Sequence, residues 1–163
     1  MIKLRPQKIS DAKRFFEILN NPNFTYFSVK PKSLEEEKNW LADNPKRIKE
    51  NTERNFTIMF NGKIVGAIGV KINFHRKYIG EIGYFLDETY WGKGITTQAV
   101  KLIEYICFNK LSLKRLEILM QPENIASEKV AIKNNYLKEG LLKKVIQDKD
   151  GSMKDCFLYA KVL

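Results

Sequence analysis

The segment from Tyr90 to Thr97 places two glycines, Gly92 and Gly94, on either side of a lysine and directly before a helical pattern. Glycine adopts positive φ angles that other residues avoid, and its lack of a side chain lets a ligand approach the main chain. The first amides of a helix have no partner within it and carry a partial positive charge. These features predict an anion site, suited above all to phosphate, at this helix N-terminus.

The residues around the glycines exclude two common nucleotide-binding loops. A Walker loop requires a lysine and a serine or threonine after its second glycine, whereas Ile95 follows Gly94. A dinucleotide-binding fingerprint requires a third glycine where this chain has Thr97. A Gly-x-Gly turn before a helix fits a purely structural role equally well, so the surrounding sequence has to decide.

The elements that position this loop follow a mixed pattern. The first third of the chain is predicted to form a strand at Ile2–Leu4, a helix capped by Ser10, a helix opened by Ser33 and Glu36, and a loop or solvated helix at Pro45–Arg54. Three strands follow, at Phe56–Phe60, Ile64–Phe74 and Tyr78–Leu86, and then a helix through Cys107. The remainder is predicted to form a strand at Arg115–Met120, a helix at about Ser127–Asn134, and strands at Tyr136–Gln147 and Met153–Val162. This order predicts one mixed α/β domain over residues 1–163, built on a largely antiparallel sheet flanked by helices. A doubly wound parallel sheet is disfavoured, because strands and helices do not alternate regularly.

Two turns predict which strands are adjacent, and alternation along one strand predicts which residues share a face. Asn61-Gly62 is the strongest short signal for a hairpin, and Asp148–Gly151 joins the last two strands. Alternation along Tyr78–Leu86 places Glu81 with Phe85 on one face, and Tyr84 on the opposite face.

Composition narrows the class of protein. The chain is 44% apolar and 12% aromatic, which is typical of a globular fold, and it contains no apolar run of membrane-spanning length. We therefore expect a cytoplasmic protein without a membrane partner. Cys107 and Cys156 are predicted to be packing residues, and His75 a turn residue, so no metal site is expected.

Two blocks, Glu81–Val100 and Leu116–Gly140, resemble the GNAT superfamily of acetyl-CoA-dependent N-acetyltransferases. The similarity is closest to the RimJ/RimL type, which acetylates the N-termini of ribosomal proteins. It implies a GNAT-like acyl-CoA N-acyltransferase fold and acetyl-CoA as cosubstrate. Trp91 and Thr96 depart from the family pattern at the pyrophosphate loop, and Asn135-Tyr136 stands where the family has Gly-Phe.

The resemblance also implies which residues hold the cosubstrate. The backbone of Phe85 and Leu86 would bind the pantetheine arm, and Asn124 would open the next helix and help to hold the cosubstrate. The pyrophosphate would be bound by the amides of Gly92, Lys93, Gly94, Ile95, Thr96 and Thr97, with the Lys93 cation nearby.

The same comparison assigns catalytic roles. Ser127 matches an Asn-x-x-Ser spacing in which the serine acts as general acid, although an N-cap role would explain it equally well. The tyrosine used by many relatives falls at Ala131, so that mechanism is absent at this place.

The residues themselves indicate the base: Glu81 is the candidate, because it shares a face with Phe85 on the strand expected beside the thioester, although a solvated or ion-paired strand residue would explain it equally well. Glu117 is a weaker candidate, for which a simple surface role is favoured. An amide near Phe85 and Leu86 would stabilise the developing oxyanion.

The predicted function is transfer of an acetyl group to a primary amine, foremost the N-terminal α-amine of a ribosomal or other ribosome-associated protein. Small amines such as polyamines, antibiotics or amino-acid derivatives are the alternative acceptors. The net charge of +10 suits an acidic protein or an RNA-rich docking surface, and a homodimer is a further candidate assembly. Tyr26, Phe27 and Trp40 are predicted to be core or acceptor-pocket wall.

Two hypotheses without catalysis also remain open. One is a nucleic-acid-binding module that uses basic residues, namely Lys46, Arg47, Lys49, Arg54, Arg76 and Lys77. The other is a regulator that binds acyl-CoA and has lost its chemistry.

Overall fold

A computed structural model describes residues 1–27, 30–148 and 150–163. Within these residues seven strands form one sheet in the order β1-β2-β3-β4-β5-β7-β6. The strands are β1 Ile2–Pro6, β2 Glu53–Phe60, β3 Lys63–Ile72, β4 Ile79–Leu86, β5 Arg115–Met120, β6 Leu137–Gln147 and β7 Met153–Val162. Every neighbouring pair is antiparallel except β4 and β5, which are parallel.

Helices cover both faces of this sheet. They are α1 Ala12–Leu19, α2 Leu34–Ala42, α3 Asn44–Lys49, α4 Ile95–Asn109 and α5 Ile125–Lys133. Phe15 of α1 and Leu41 of α2 pack with Ala67 on one face, here called the α1/α2 face. The opposite α4/α5 face holds the larger core, in which Val100 and Ala131 are fully buried.

The predicted element order is confirmed, as is the largely antiparallel mixed sheet. The hairpin at Asn61-Gly62 has φ angles of 47° and 78°, as a type I′ turn requires. Asn135 also adopts a positive φ of 62° after α5, which explains why it replaces a glycine there. Both cysteines are free and buried, as predicted. Of the turn predicted at Asp148–Gly151, Lys149 lies outside the described residues.

Two predicted helix starts are wrong. Ser10 does not cap α1, because it lies inside a 3-10 turn at Ile9–Asp11 and Asp11 occupies the N-cap position of α1. The Asp11 carboxylate accepts the Lys8 amide at 3.0 Å, which closes that turn. Helix α5 begins at Ile125, two residues earlier than predicted. The segment Pro45–Arg54 resolves into the last part of α3 and the start of β2.

Strands β4 and β5 separate soon after they meet. Their pairing covers only three positions, which match Ile79–Glu81 with Arg115–Glu117. Beyond Glu81, β4 continues to Leu86 along β3 alone, whereas β5 stays paired with β7. The two strands therefore enclose a gap beside residues 82–86.

Backbone groups of β4 point into this gap. The Asp87 amide donates to the Val65 carbonyl at 2.8 Å, and hydrogen-bonded positions in an antiparallel ladder alternate. The backbone N–H and C=O groups of Phe85, two residues earlier, therefore face Ala67 of β3. The backbone groups of Tyr84 and Leu86 face the opposite way, toward β5, and so border the gap.

Asp11 anchors the start of α1 to the sheet and is 1% exposed. Its carboxylate accepts both terminal nitrogens of Arg5, at 2.8 and 2.7 Å, and the Thr57 hydroxyl at 2.7 Å. Burial raises the pKa of Asp11, but these hydrogen bonds and the Arg5 charge outweigh it, so the pKa lies below its ordinary value.

We expect Asp11→Asn to lower the free energy of unfolding by about 2 kcal/mol at neutral pH, because the Arg5 guanidinium loses its charged partner. A carboxyl group with a depressed pKa stabilises the fold above its unfolded pKa, near 4, and this contribution disappears as the pH falls through the folded pKa. Urea unfolding should therefore show the difference from wild type shrinking below about pH 4.

Glu17→Gln serves as the control for that measurement. Glu17 is half exposed and forms its ion pair with Arg14 at 3.4 Å on the surface, so its removal should change stability little. A deficit of Asp11→Asn that stays constant into strong acid would contradict the assignment to the Asp11 charge.

Candidate functional site

The entrance to the glycine loop is fixed by Asp87, which follows β4 directly. The Asp87 carboxylate accepts the Thr89 amide and the Thr89 hydroxyl, both at 2.8 Å, and forms an ion pair with Arg14. Burial raises the pKa of Asp87, but the hydrogen bonds from Thr89 and Arg14 lower it more, so the group is held ionised. It caps the 3-10 turn at Glu88–Tyr90 that leads into the loop.

Both loop glycines adopt the left-handed conformation, with φ of 73° at Gly92 and at Gly94. Gly94 is the N-cap residue of α4. A Cβ atom at either position would meet no other atom within 4 Å, so the backbone conformation, rather than crowding, requires glycine.

The amides that follow this turn are unpaired. From Gly92 to Thr97, six consecutive N–H groups have no acceptor among the described residues, whereas the Gln98 amide bonds the Gly94 carbonyl at 3.1 Å. Free amides at the start of a helix of 15 residues, reached from open space, fit the charge and shape of a diphosphate.

Two side chains of the loop turn back onto the protein. The Lys93 ammonium donates to the Thr89 carbonyl at 2.9 Å and lies 5.1 Å from the centre of the Tyr90 ring. The indole N–H of Trp91 donates to the Leu86 carbonyl at 2.8 Å. Trp91 thus fastens the loop to the end of β4, and the Leu86 carbonyl already has a partner.

Glu81 lies on the α1/α2 face at the point where β4 and β5 part. It is placed between Lys71 of β3 and Glu117 of β5 by the sheet register. Although solvent reaches its side chain, desolvation by the surrounding atoms raises its pKa; the Lys71 charge opposes this shift and the Glu117 charge adds to it.

The two candidate bases differ in their partners. The Glu117 carboxylate accepts the Nε–H of Arg115 at 2.7 Å. In the described part of the chain, Glu81 accepts no hydrogen bond and forms no ion pair. Glu81 is therefore the carboxylate free to bind an amine proton.

A cluster of aromatic side chains lies on the same face of the sheet as Glu81. The Phe85 ring packs against Phe15, Phe24 and Phe27 with centroid distances of 5.3, 6.3 and 5.6 Å. Between Glu81 and Phe85, Gly83 leaves open space, since a Cβ atom there would touch nothing within 4 Å. The backbone of Phe85 is engaged with β3, so the side chain is what Phe85 presents to the site.

Ser127 lies on the other face, in the first turn of α5. Asn124 is the N-cap of this helix, and its side-chain oxygen accepts the Ser127 amide at 3.1 Å. The alternative interpretation of Ser127 as the N-cap is therefore wrong. The Ser127 hydroxyl is 2.6 Å from the Tyr84 hydroxyl, and Ser127 itself is 8% exposed.

Residues 2–136 match the acetyltransferase (GNAT) domain family. The chain belongs to the GNAT acetyltransferases. The match spans every residue of the candidate site, from Glu81 through the glycine loop to Ser127.

Individual GNAT relatives differ in what they act on. The chain is 30% identical to spermidine N(1)-acetyltransferase of Escherichia coli K12 over 144 residues, which are 86% of this chain and 75% of that protein. It is also 30% identical to the ribosomal-protein-serine acetyltransferase of Escherichia coli K12, over 66% of this chain and 60% of that protein.

The fold comparison agrees with the family. A solved structure of RimL, a ribosomal L7/L12 alpha-N-protein acetyltransferase in complex with coenzyme A, superposes with a TM-score of 0.89. It shares 21% identity and covers 99% of this chain and 94% of its own. The predicted GNAT-like fold is thus confirmed.

Sequence reasoning missed two contacts of this GNAT site. Tyr84 meets Ser127 across 43 residues of sequence, and Trp91 meets the Leu86 carbonyl. In the sequence, Trp91 stands out only as a departure from the family pattern. Neither contact leaves a periodic signal, because each joins residues that come together only through tertiary packing.

The aromatic residues predicted to line a pocket separate in the structure. Phe27 joins the cluster around Phe85, and the Tyr26 hydroxyl donates to the Glu123 carbonyl at 3.2 Å. Tyr26 and Trp40 are both exposed rather than in the core, at 44% and 47%, and the Trp40 ring is covered by the Arg47 guanidinium at 3.8 Å from its centre.

Some of the basic residues considered for nucleic-acid binding have partners within the protein. Arg47 also pairs with Glu53 at 3.5 Å, and Arg54 donates to the Asn51 side chain at 2.9 Å. Across residues 1–27, 30–148 and 150–163, no helix is both long enough and apolar enough to cross a membrane.

Proposed function

We propose that this protein is a single N-acetyltransferase domain over residues 1–163 that acetylates the N-terminal α-amine of a protein, with acetyl-CoA as donor. The observation that carries the proposal is the gap between β4 and β5. Glu81 borders it on one face and Ser127 on the other, and the free amides of the glycine loop lie at its end.

Binding of the donor follows from these groups. The amides of Gly92–Thr97 hold the pyrophosphate, and the Lys93 charge adds attraction at short range. The backbone of Tyr84 and Leu86 lines the gap for the pantetheine arm. Among the described residues, the partner these groups have there is Trp91, which donates to the Leu86 carbonyl. Asn124 keeps the first turn of α5 in place beside it.

Acetyl-CoA supplies an acetyl group on a thioester, and the protein supplies proton transfer and orientation. The amine nitrogen forms a bond to the carbonyl carbon as the carbon–sulfur bond breaks. Glu81 takes the nitrogen's proton and then releases it to solvent. Ser127 gives its hydroxyl hydrogen to the sulfur and regains one from solvent. A free amide bordering the gap near Leu86 stabilises the oxyanion.

The α-amine is favoured as acceptor by its basicity. At pH 7 roughly 10% of an α-amine is neutral and nucleophilic, against about 0.04% of a lysine. A single solvent-exposed carboxylate such as Glu81 suffices to deprotonate an α-amine, but it deprotonates a lysine side chain poorly. The open face around Gly83 also leaves room for an extended peptide, and the ribosomal-protein-serine relative acts on a protein.

A polyamine is the second candidate acceptor. The adjacent carboxylates of Glu81 and Glu117 suit a ligand with more than one positive charge, and one relative is a spermidine acetyltransferase. The net charge of +10 opposes the approach of such a cation.

A panel of acceptors tests the proposal. Release of free thiol from acetyl-CoA should be fastest with peptides that have an unblocked N-terminus, slower with spermidine, and absent with N-terminally acetylated peptides that contain lysine. Fragment mass spectrometry should place the acetyl group on the α-nitrogen. Faster turnover with spermidine, or acetylation of lysine in blocked peptides, would contradict the proposed acceptor.

A further inference from the structure

A tyrosine–serine pair borders the gap between β4 and β5 on the α4/α5 face. The phenol oxygen of Tyr84 lies 2.6 Å from Ser127 Oγ, which is a short O–H···O hydrogen bond. Tyr84 belongs to β4 and Ser127 to the first turn of α5. The bond therefore joins the strand that borders the gap to the helix that follows β5.

Either hydroxyl could donate across this distance, because each has one hydrogen. Burial raises the pKa of Tyr84 to about 12, so the phenol keeps its hydrogen at working pH and has one to give. The direction that leaves the Ser127 hydrogen available for chemistry is the one in which Tyr84 donates and Ser127 accepts.

Accepting this bond prepares Ser127 to donate. Its own hydrogen is free to point into the gap, because its oxygen and its amide are already fixed by Tyr84 and Asn124. A hydroxyl that accepts a hydrogen bond becomes a stronger donor. The N-terminus of α5 also favours negative charge on the serine oxygen.

We propose that Tyr84 is a positioning residue that holds the Ser127 hydroxyl as hydrogen donor to the departing thiolate. This inference rests on the proposed acetyl transfer but not on which amine accepts. Tyr84 retains its own hydrogen, so one proton moves from Ser127 to sulfur while the carbon–sulfur bond breaks. Solvent then returns a proton to Ser127.

Tyr84→Phe tests the inference with acetyl-CoA and the best amine of the acceptor panel. We expect kcat to fall about tenfold while the KM values of acetyl-CoA and amine stay within about twofold, because only orientation of the donor is lost. Ser127→Ala should lower kcat at least as much. The double variant should be no slower than Ser127→Ala alone, since Tyr84 acts through Ser127.

Tyr159→Phe is the matched control. The Tyr159 hydroxyl also binds the first turn of α5, donating to Glu128 at 2.6 Å, but it does not touch Ser127. Its kcat should equal that of wild type. An equal loss in Tyr159→Phe, or additive losses in the double variant, would overturn the inference. A preference for spermidine in the panel would instead overturn the proposed acceptor and leave these ratios unchanged.

Discussion

Glu81→Gln is expected to lower kcat/KM by about 100-fold without weakening acetyl-CoA binding, because it removes the group that takes the amine proton. Glutamine keeps the size of the side chain but is not basic. The variant should be as stable as wild type or more so, since the raised pKa of Glu81 shows that its ionised form is disfavoured in the fold. Thiol release, calorimetric titration with acetyl-CoA and thermal unfolding measure the three quantities.

The pH dependence gives this prediction a sharper form. A base must be ionised, so the acidic limb of kcat/KM should lie above the ordinary pKa of glutamate and disappear in Glu81→Gln. Glu117→Gln removes a neighbouring negative charge and should move the limb to lower pH, whereas Lys71→Met should move it to higher pH. Full turnover in Glu81→Gln would show that another group is the base. An acidic limb that stays at the same pH in both Glu117→Gln and Lys71→Met would show the same.

Gly94→Val is expected to raise the Kd of acetyl-CoA about 100-fold. A β-branched residue is strained at φ of 73°, so the loop would relax and redirect the amides that precede and begin α4. The loss should fall on binding, with kcat at saturating acetyl-CoA changed much less. Calorimetric titration measures the affinity directly.

Gly62→Val is the control for backbone strain. Gly62 has φ of 78° and equally open surroundings, but it lies in the hairpin between β2 and β3, away from the site. The two variants should lose similar thermal stability, whereas only Gly94→Val should lose affinity. Equal affinities in both would show that the glycine loop does not hold the diphosphate.

Much of the fold was predictable because local signals and tertiary packing agree. Alternation along β4 placed Glu81 and Tyr84 on opposite faces, and the Asn61-Gly62 turn fixed the β2–β3 hairpin. The start of α1 was not predictable from Ser10. Asp11 accepts the Lys8 amide in the turn before the helix, and its bonds to Arg5 and Thr57 depend on how the sheet places those two residues.

The site was predictable in part. Glycine spacing before a helix identified the loop, the resemblance to GNAT enzymes supplied Asn124 and Ser127 as candidates, and alternation along the strand supplied Glu81. It did not show that Glu117 is held by Arg115 while Glu81 is free, since such partners depend on strand register.

The sequence by itself determined the element order and the loop of free amides, because both depend on residues close together in the chain. Only the tertiary structure decided that β5 leaves β4 after Glu81, and that Tyr84 meets Ser127 across the resulting gap. The physical reason is that strand separation and hydroxyl pairing depend on how distant segments pack, which no local pattern of residues encodes.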